Sequence, residues 1–101
     1  MTERIRDDLW EGEMRGCVLS GKKILLIKLD GQVFAYDDRC EHLGLLLSEG
    51  RLERGILTCR GHHWQYDIRT GHGTNPKTAC LRRHVASVEN GEIVVEVGEK
   101  G

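Results

Sequence analysis

Ile56-Leu57-Thr58-Cys59-Arg60-Gly61-His62-His63-Trp64-Gln65-Tyr66-Asp67 reads as strand, short loop, strand. Apolar and β-branched residues lead in, and an aromatic-rich segment returns after Gly61 breaks the run. The loop between them carries a thiol, Cys59, and an imidazole, His62. Upstream, Cys40-Glu41-His42 repeats the theme, and sixteen residues separate His42 from Cys59. Each segment is short enough for one tight loop to aim both side chains at one point. Brought together, the two loops supply four soft or borderline donors. From the donors alone, a Cys₂His₂ zinc site and an iron–sulfur site both stay open. Zinc sites more commonly group cysteine with cysteine and histidine with histidine, whereas here each pair is mixed.

Outward from this stretch the chain continues in short strands. Arg51-Leu52-Glu53 pairs with Ile56-Leu57-Thr58 across Arg54-Gly55, and Trp64 to Asp67 closes at Thr70-Gly71. Gly71 to Pro76 is rich in turn formers and holds the only proline. Toward the N-terminus, Gln32 to Tyr36 pairs with Ile24-Leu25-Leu26-Ile27 across Asp30-Gly31, a strong hairpin turn. The continuous apolar run at Ile24 to Ile27 predicts a strand buried on both faces. Met14 to Leu19 forms another strand ending at Ser20-Gly21, and Arg4-Ile5-Arg6 an edge strand. Between these two, Asp7 to Gly12 turns with Trp10 tucked inward. Leu43 to Leu47 predicts a helical turn or apolar loop over the site. Leu81 to Val85 and Ile93 to Val97, joined through Glu89-Asn90-Gly91, are the last strands. Turn signals every eight to twelve residues, with no long helical period, predict an all-β fold. It is an antiparallel sandwich over residues 1–101, with a small subdomain at about 40–76 inserted between strands.

The chain has 101 residues, 39% hydrophobic and 5% aromatic, enough for one modest core that a metal would help to hold. A formal charge of −1 gives no basic field for nucleic acid or anionic lipid. No apolar run is long enough to span a membrane, and the N-terminus lacks a secretory h-region. These predict a cytoplasmic protein, in which four cysteines point to metal or redox chemistry before disulfides. Cys17 and Cys80 read as buried or half-buried thiols without a ligand role, and His72 and His84 as surface residues. His63 either exchanges protons or meets a partner, or is an idle loop residue.

C-x-H followed by C-x-x-H, as Cys40/His42 and Cys59/His62, resembles the Rieske [2Fe–2S] family. The resemblance implies that Cys40 and Cys59 hold one iron and His42 and His62 the other. Imidazole donates less charge than thiolate, so the added electron sits mainly on the histidine-ligated iron. High-potential relatives carry Ser and Tyr where Trp64 and Tyr66 stand here. The missing Ser implies a potential low in the Rieske range, roughly −150 mV or somewhat above. Respiratory-chain relatives pair two cysteines beside the cluster, where Leu45 and Gly61 lie here.

Within the family, Leu45 to Gly50, Trp64, Thr70-Gly71-His72-Gly73, Asn75-Pro76 and Cys80-Leu81 are similar to ferredoxins of toluene and alkene monooxygenases. That similarity implies a one-electron carrier, not an enzyme, and a monomer. It would link a flavin-containing NAD(P)H reductase to a terminal oxygenase, by preference a diiron hydroxylase. A ring-hydroxylating dioxygenase ferredoxin and a small nitrite reductase subunit are the alternatives. An oxygenase's second metal domain has no sequence left to form it.

Overall fold

The computed structural model describes residues 2–39, 45–60, 64–75 and 79–97. Among the described residues ten strands run in chain order: β1 (Thr2–Arg6), β2 (Met14–Leu19), β3 (Lys22–Leu29), β4 (Gln32–Asp37), β5 (Arg51–Glu53), β6 (Ile56–Thr58), β7 (Gln65–Asp67), β8 (Gly73–Asn75), β9 (Arg83–Glu89) and β10 (Glu92–Glu96). A 3₁₀ turn at Leu47–Glu49 precedes β5. All pairings are antiparallel. The larger sheet has the order β1-β10-β9-β4-β3-β2, and the smaller one β5-β6-β7-β8. The smaller sheet lies in sequence between β4 and β9, as the inserted subdomain required.

Two-residue hairpin turns set the register. Asp30 and Gly31 have φ of 56° and 74°, Arg54 and Gly55 of 53° and 80°, and Asn90 and Gly91 of 50° and 77°. Positive φ at both positions is the type I′ requirement, and its twist matches that of the flanking strands.

Two apolar clusters hold the fold. Ile24, Leu26, Val33, Ala35, Ile93 and Val95 pack inside the curl of the larger sheet, with Leu9, Leu19 and Val97. On the opposite face of β3 and β4, Leu25, Ile27, Leu29, Phe34 and Tyr36 meet Leu47, Leu57, Cys59, Tyr66 and Ile68 of the smaller unit. Strand β3 therefore feeds both cores, and Ile24, Leu25 and Ile27 are fully buried. That is the origin of its unbroken apolar sequence. The Tyr36 hydroxyl donates to the Ile68 carbonyl, and Arg69 donates to Asp30 at 2.9 and 2.8 Å, tying the units together.

Several expectations are corrected. Trp10 is 78% exposed, because its turn is anchored by buried Leu9 and by the Glu13 carboxylate, which accepts from the Trp10 N–H at 2.8 Å. Gly73–Asn75 is a strand despite its turn-forming residues, since β7 offers it a ladder. The ninth strand starts at Arg83 and not Leu81. His84 is buried, at 3% exposure, and Cys80 is exposed. His72 is exposed and Cys17 half-buried, as expected.

Candidate metal centre

Strand β6 ends by delivering Cys59 into the core between the two sheets, where it is 1% exposed. Its neighbours there include Leu47, Leu57, Tyr66 and Tyr36, with Leu45 and Trp64 packed against the same cluster. The Cys59 N–H donates to the Trp64 carbonyl at 2.8 Å, which joins the end of β6 to the residue before β7. Of the four predicted ligands, Cys59 is described; Cys40, His42 and His62 lie outside the described residues, as does His63.

The flanks of the first loop are nevertheless fixed. Strand β4 ends at Asp37, and the following Asp38 is 4% exposed. Its carboxylate accepts from the Ser48 N–H at 2.8 Å and from the Ser48 hydroxyl at 2.7 Å. This clamp joins the residue two before Cys40 to the 3₁₀ turn beyond Leu45. Gly16 on β2 makes room for it: a Cβ there would stand 2.7 Å from Asp38 Oδ2 and 2.8 Å from Ser48 Oγ.

A second set of contacts ties the segment after residue 45 to the end of β6. Arg51 pairs with Thr58, and Gly50 packs so closely on the Thr58 carbonyl that a Cβ would collide with it. Arg60, directly after Cys59, donates to Glu49 at 2.8 Å. Residues Glu49 to Arg51 are therefore laced to Thr58 and Arg60, on either side of Cys59. Behind β4, the His84 ring pairs with Asp37 at 2.6 Å across the β4–β9 seam, and Arg82 Nε lies 4.0 Å from the same carboxylate.

The chemistry of this setting suits a resident metal group. A thiolate buried among leucines and tyrosines is strongly disfavoured alone, and a bound cation removes that penalty. Among the described residues, no group of three His, Cys, Asp or Glu side chains is placed to hold a metal ion. None of the described cysteines, Cys17, Cys59 and Cys80, is in a disulfide. Cys17 lies on β2, where burial pushes its thiol pKa up, followed by the Asp38 charge, so it remains protonated.

Sequence reasoning did not find the Asp38–Ser48 clamp, Gly16, Gly50 or the Asp37–His84 pair. Gly16 carried the one usable signal, since a lone glycine within a strand pattern marks close approach.

The Rieske [2Fe–2S] domain family matches residues 4–93. The ferredoxin component of the alkene monooxygenase system of Xanthobacter autotrophicus is 40% identical over 90 residues, 88% of this chain and 74% of that protein. The ferredoxin component of the p-cumate 2,3-dioxygenase system of Pseudomonas putida is 40% identical over 95 residues, 91% of this chain and 80% of its own. Among solved structures, the complex of reduced oxygenase and oxidized ferredoxin in carbazole 1,9a-dioxygenase superposes with a TM-score of 0.84 at 26% identity. That superposition covers 93% of this chain and 91% of the other. With these likenesses over nearly its whole length, the chain belongs to the Rieske [2Fe–2S] family, as an electron-carrying ferredoxin of oxygenase systems.

Proposed function

We propose that Cys40, His42, Cys59 and His62 hold the cluster, and that the chain carries single electrons from a flavin-containing NAD(P)H reductase to a terminal diiron monooxygenase. The observation that carries this reading is the 40% identity to an alkene monooxygenase ferredoxin. When bound, a [2Fe–2S] group supplies a site that accepts one electron and releases it without chemistry on a substrate. The chain's own residues do the rest. Cys59 contributes a buried thiolate; Leu45, Leu47 and Trp64 keep water from it. The Asp38–Ser48 clamp and the Arg60–Glu49 pair fix the loop bases, so little reorganisation accompanies a change of charge. We place the protein in the cytoplasm as a monomer; among the described residues no helix is long and apolar enough to cross a membrane.

A second reading, the ferredoxin of a ring-hydroxylating dioxygenase, is favoured by the equal identity to the p-cumate system. Reconstituted turnover separates the two. With reductase and NADH supplied, product formation by a diiron alkene or arene hydroxylase should exceed that by a ring-hydroxylating dioxygenase by about tenfold or more. The reverse order assigns the chain to the dioxygenases. For the ligand set, Cys59→Ser or His62→Ala should abolish or cripple cluster assembly. An unchanged red-brown spectrum in either variant would refute it. Protein-film voltammetry should give roughly −150 mV or somewhat above, and a value well above zero counts against the tuning assigned to Trp64.

A further inference from the structure

Asp38 and His84 are both buried, at 4% and 3% exposure. Asp38 serves the clamp with Ser48, whereas the His84 ring is turned to Asp37, its Nε2 2.6 Å from Oδ1. An ionised carboxylate only accepts, so Nε2 carries the hydrogen and donates it. Along the seam the neighbours are apolar. Ala35 stands opposite His84, Ile24 stands opposite Asp37, and Ala86 packs into the core inside the curl. A buried ring is favourable in such a place only while its polar atoms are bonded. The bond to Asp37 is what an imidazole brings to position 84. Charge-assisted bonds of this kind are stronger than neutral ones, and more so where water is shut out.

The same segment also holds the backbone of Asp37, whose N–H donates to the Arg82 carbonyl at 3.0 Å. Earlier in that segment, Leu81 N–H donates to the Gly71 carbonyl at 2.7 Å, and Gly73 N–H to the Ala79 carbonyl at 2.8 Å. Ala79 and Leu81 belong to the apolar cluster that contains Cys59. Residues 79–84 thus reach from the smaller unit to the end of β4, and His84 fastens them there. Asp37 lies three residues before Cys40, so the two Cα atoms are no more than about 11 Å apart. The Asp37 side chain is 31% exposed, and Arg82 Nε stands 4.0 Å from its other oxygen. A carboxylate at this range repels the negative charge that one-electron reduction adds. We propose that His84 is a positioning residue for electron transfer: its donation to Asp37 holds that carboxylate in the β4–β9 seam and draws off part of its charge, which favours the reduced cluster. The inference rests on the proposed ligand set, since Cys40 is what brings the cluster near Asp37.

The experiment measures the reduction potential of the holoprotein by voltammetry, with iron per chain and the urea midpoint taken alongside. His84→Leu removes the donor and keeps apolar bulk, His84→Gln returns an N–H, and Asp37→Asn removes the charge. In His84→Leu the reduction equilibrium should fall about threefold, which is about 30 mV for one electron. His84→Gln should bring the potential back toward wild type, and Asp37→Asn should raise it above wild type. Combined with Asp37→Asn, His84→Leu should lower the potential no further, because the two act through one bond. A merely structural latch would lower the urea midpoint of His84→Leu and leave the potential where it was, and that result overturns the proposal. So does a lowering of equal size in both backgrounds, or a His84→Gln value no higher than that of His84→Leu. Where His84→Leu does not retain iron, Asp37→Asn decides, and an unchanged or lowered potential there overturns the proposal. Failure of the ligand set shows separately, as an unchanged red-brown spectrum in Cys40→Ser.

Discussion

At Gly16 the smallest side-chain change reaches the metal loop. Its Cα faces Asp38 and Ser48 so closely that an added methyl must displace one of them, and both belong to the clamp that starts two residues before Cys40. Gly16→Ala should therefore destabilise the fold by about 1–3 kcal/mol through overpacking. Ser48→Ala, which leaves the Ser48 N–H bond in place, should cost only about 1 kcal/mol. Urea titration of both variants checks the order, and Gly16→Ala should also purify with less iron per chain. A Gly16→Ala protein at wild-type stability and iron content would show that the clamp tolerates the methyl. Two further residues set the alkaline limit. Burial raises the pKa of Cys17 and of Tyr36, so folding holds their protons longer than the unfolded chain does. The stability from holding them is complete below the unfolded values, about 8.5 for the thiol and about 10 for the phenol. It is lost as pH rises from there through the raised folded values, because the unfolded chain then binds fewer protons. Chemical denaturation from pH 8 to pH 11 should show stability falling with pH. The fall above about pH 10 should be shallower in Tyr36→Phe; an equal slope would acquit Tyr36.

At the scale of the element, the β5–β6 hairpin places Cys59, and its turn carries a flaw. Arg54 adopts φ 53°, which an ordinary side chain enters at a cost of about 1–2 kcal/mol. Asparagine is at ease there, so Arg54→Asn should gain about 0.5–1 kcal/mol, read as a rise in the denaturation midpoint. Gly55→Ala should do the opposite, since its φ is 80° and the Arg69 guanidinium crowds the site of the new methyl. The hairpins were legible in the sequence because both signals are local: a Gly-containing pair, flanked by alternating or continuous apolar runs. The both-faces-buried β3 was legible for the same reason. What escaped depends on pairing across distant segments. Gly73–Asn75 becomes a strand only because β7 lies beside it. His84 turns inward because register sets it opposite Ala35, on the face that also carries Asp37. Val85, the apolar neighbour a pattern reading would bury, takes the other parity and is 69% exposed. In the site, the mixed Cys/His spacing marks the proposed ligands. The clamp that supports them joins Gly16, Asp38 and Ser48 from three separate segments, with no shared motif.

For the molecule as a whole, the division into two cores predicts how it responds to loss of its metal. The core inside the curl draws its buried members from Leu9 to Ala35 and from Ile93 to Val97, with none from the inserted unit. The other core draws Leu47, Leu57, Cys59, Tyr66 and Ile68 from that unit, with Ala79 and Leu81 just after it, and includes one of the proposed ligands. Taking the iron away returns a thiol to an apolar site and frees both ligand loops, so the cost falls on the second core first. The strands that depend on it, β5 to β8, are three residues each and present few ladder bonds of their own. Strand β3 has eight residues and neighbours on both sides. Proteins open in contiguous units of unequal stability, and here the boundary should follow the two sheets. Hydrogen exchange on iron-depleted protein should show amides of β6 and β7 exchanging at least about tenfold faster than in the holoprotein, a loss of about 1.4 kcal/mol or more. Amides of β3 and β10 should keep most of their protection, because Ile24, Leu26, Ile93 and Val95 still bury one another. Equal acceleration in all four strands would mean that β3, by facing both cores, couples them into one cooperative unit.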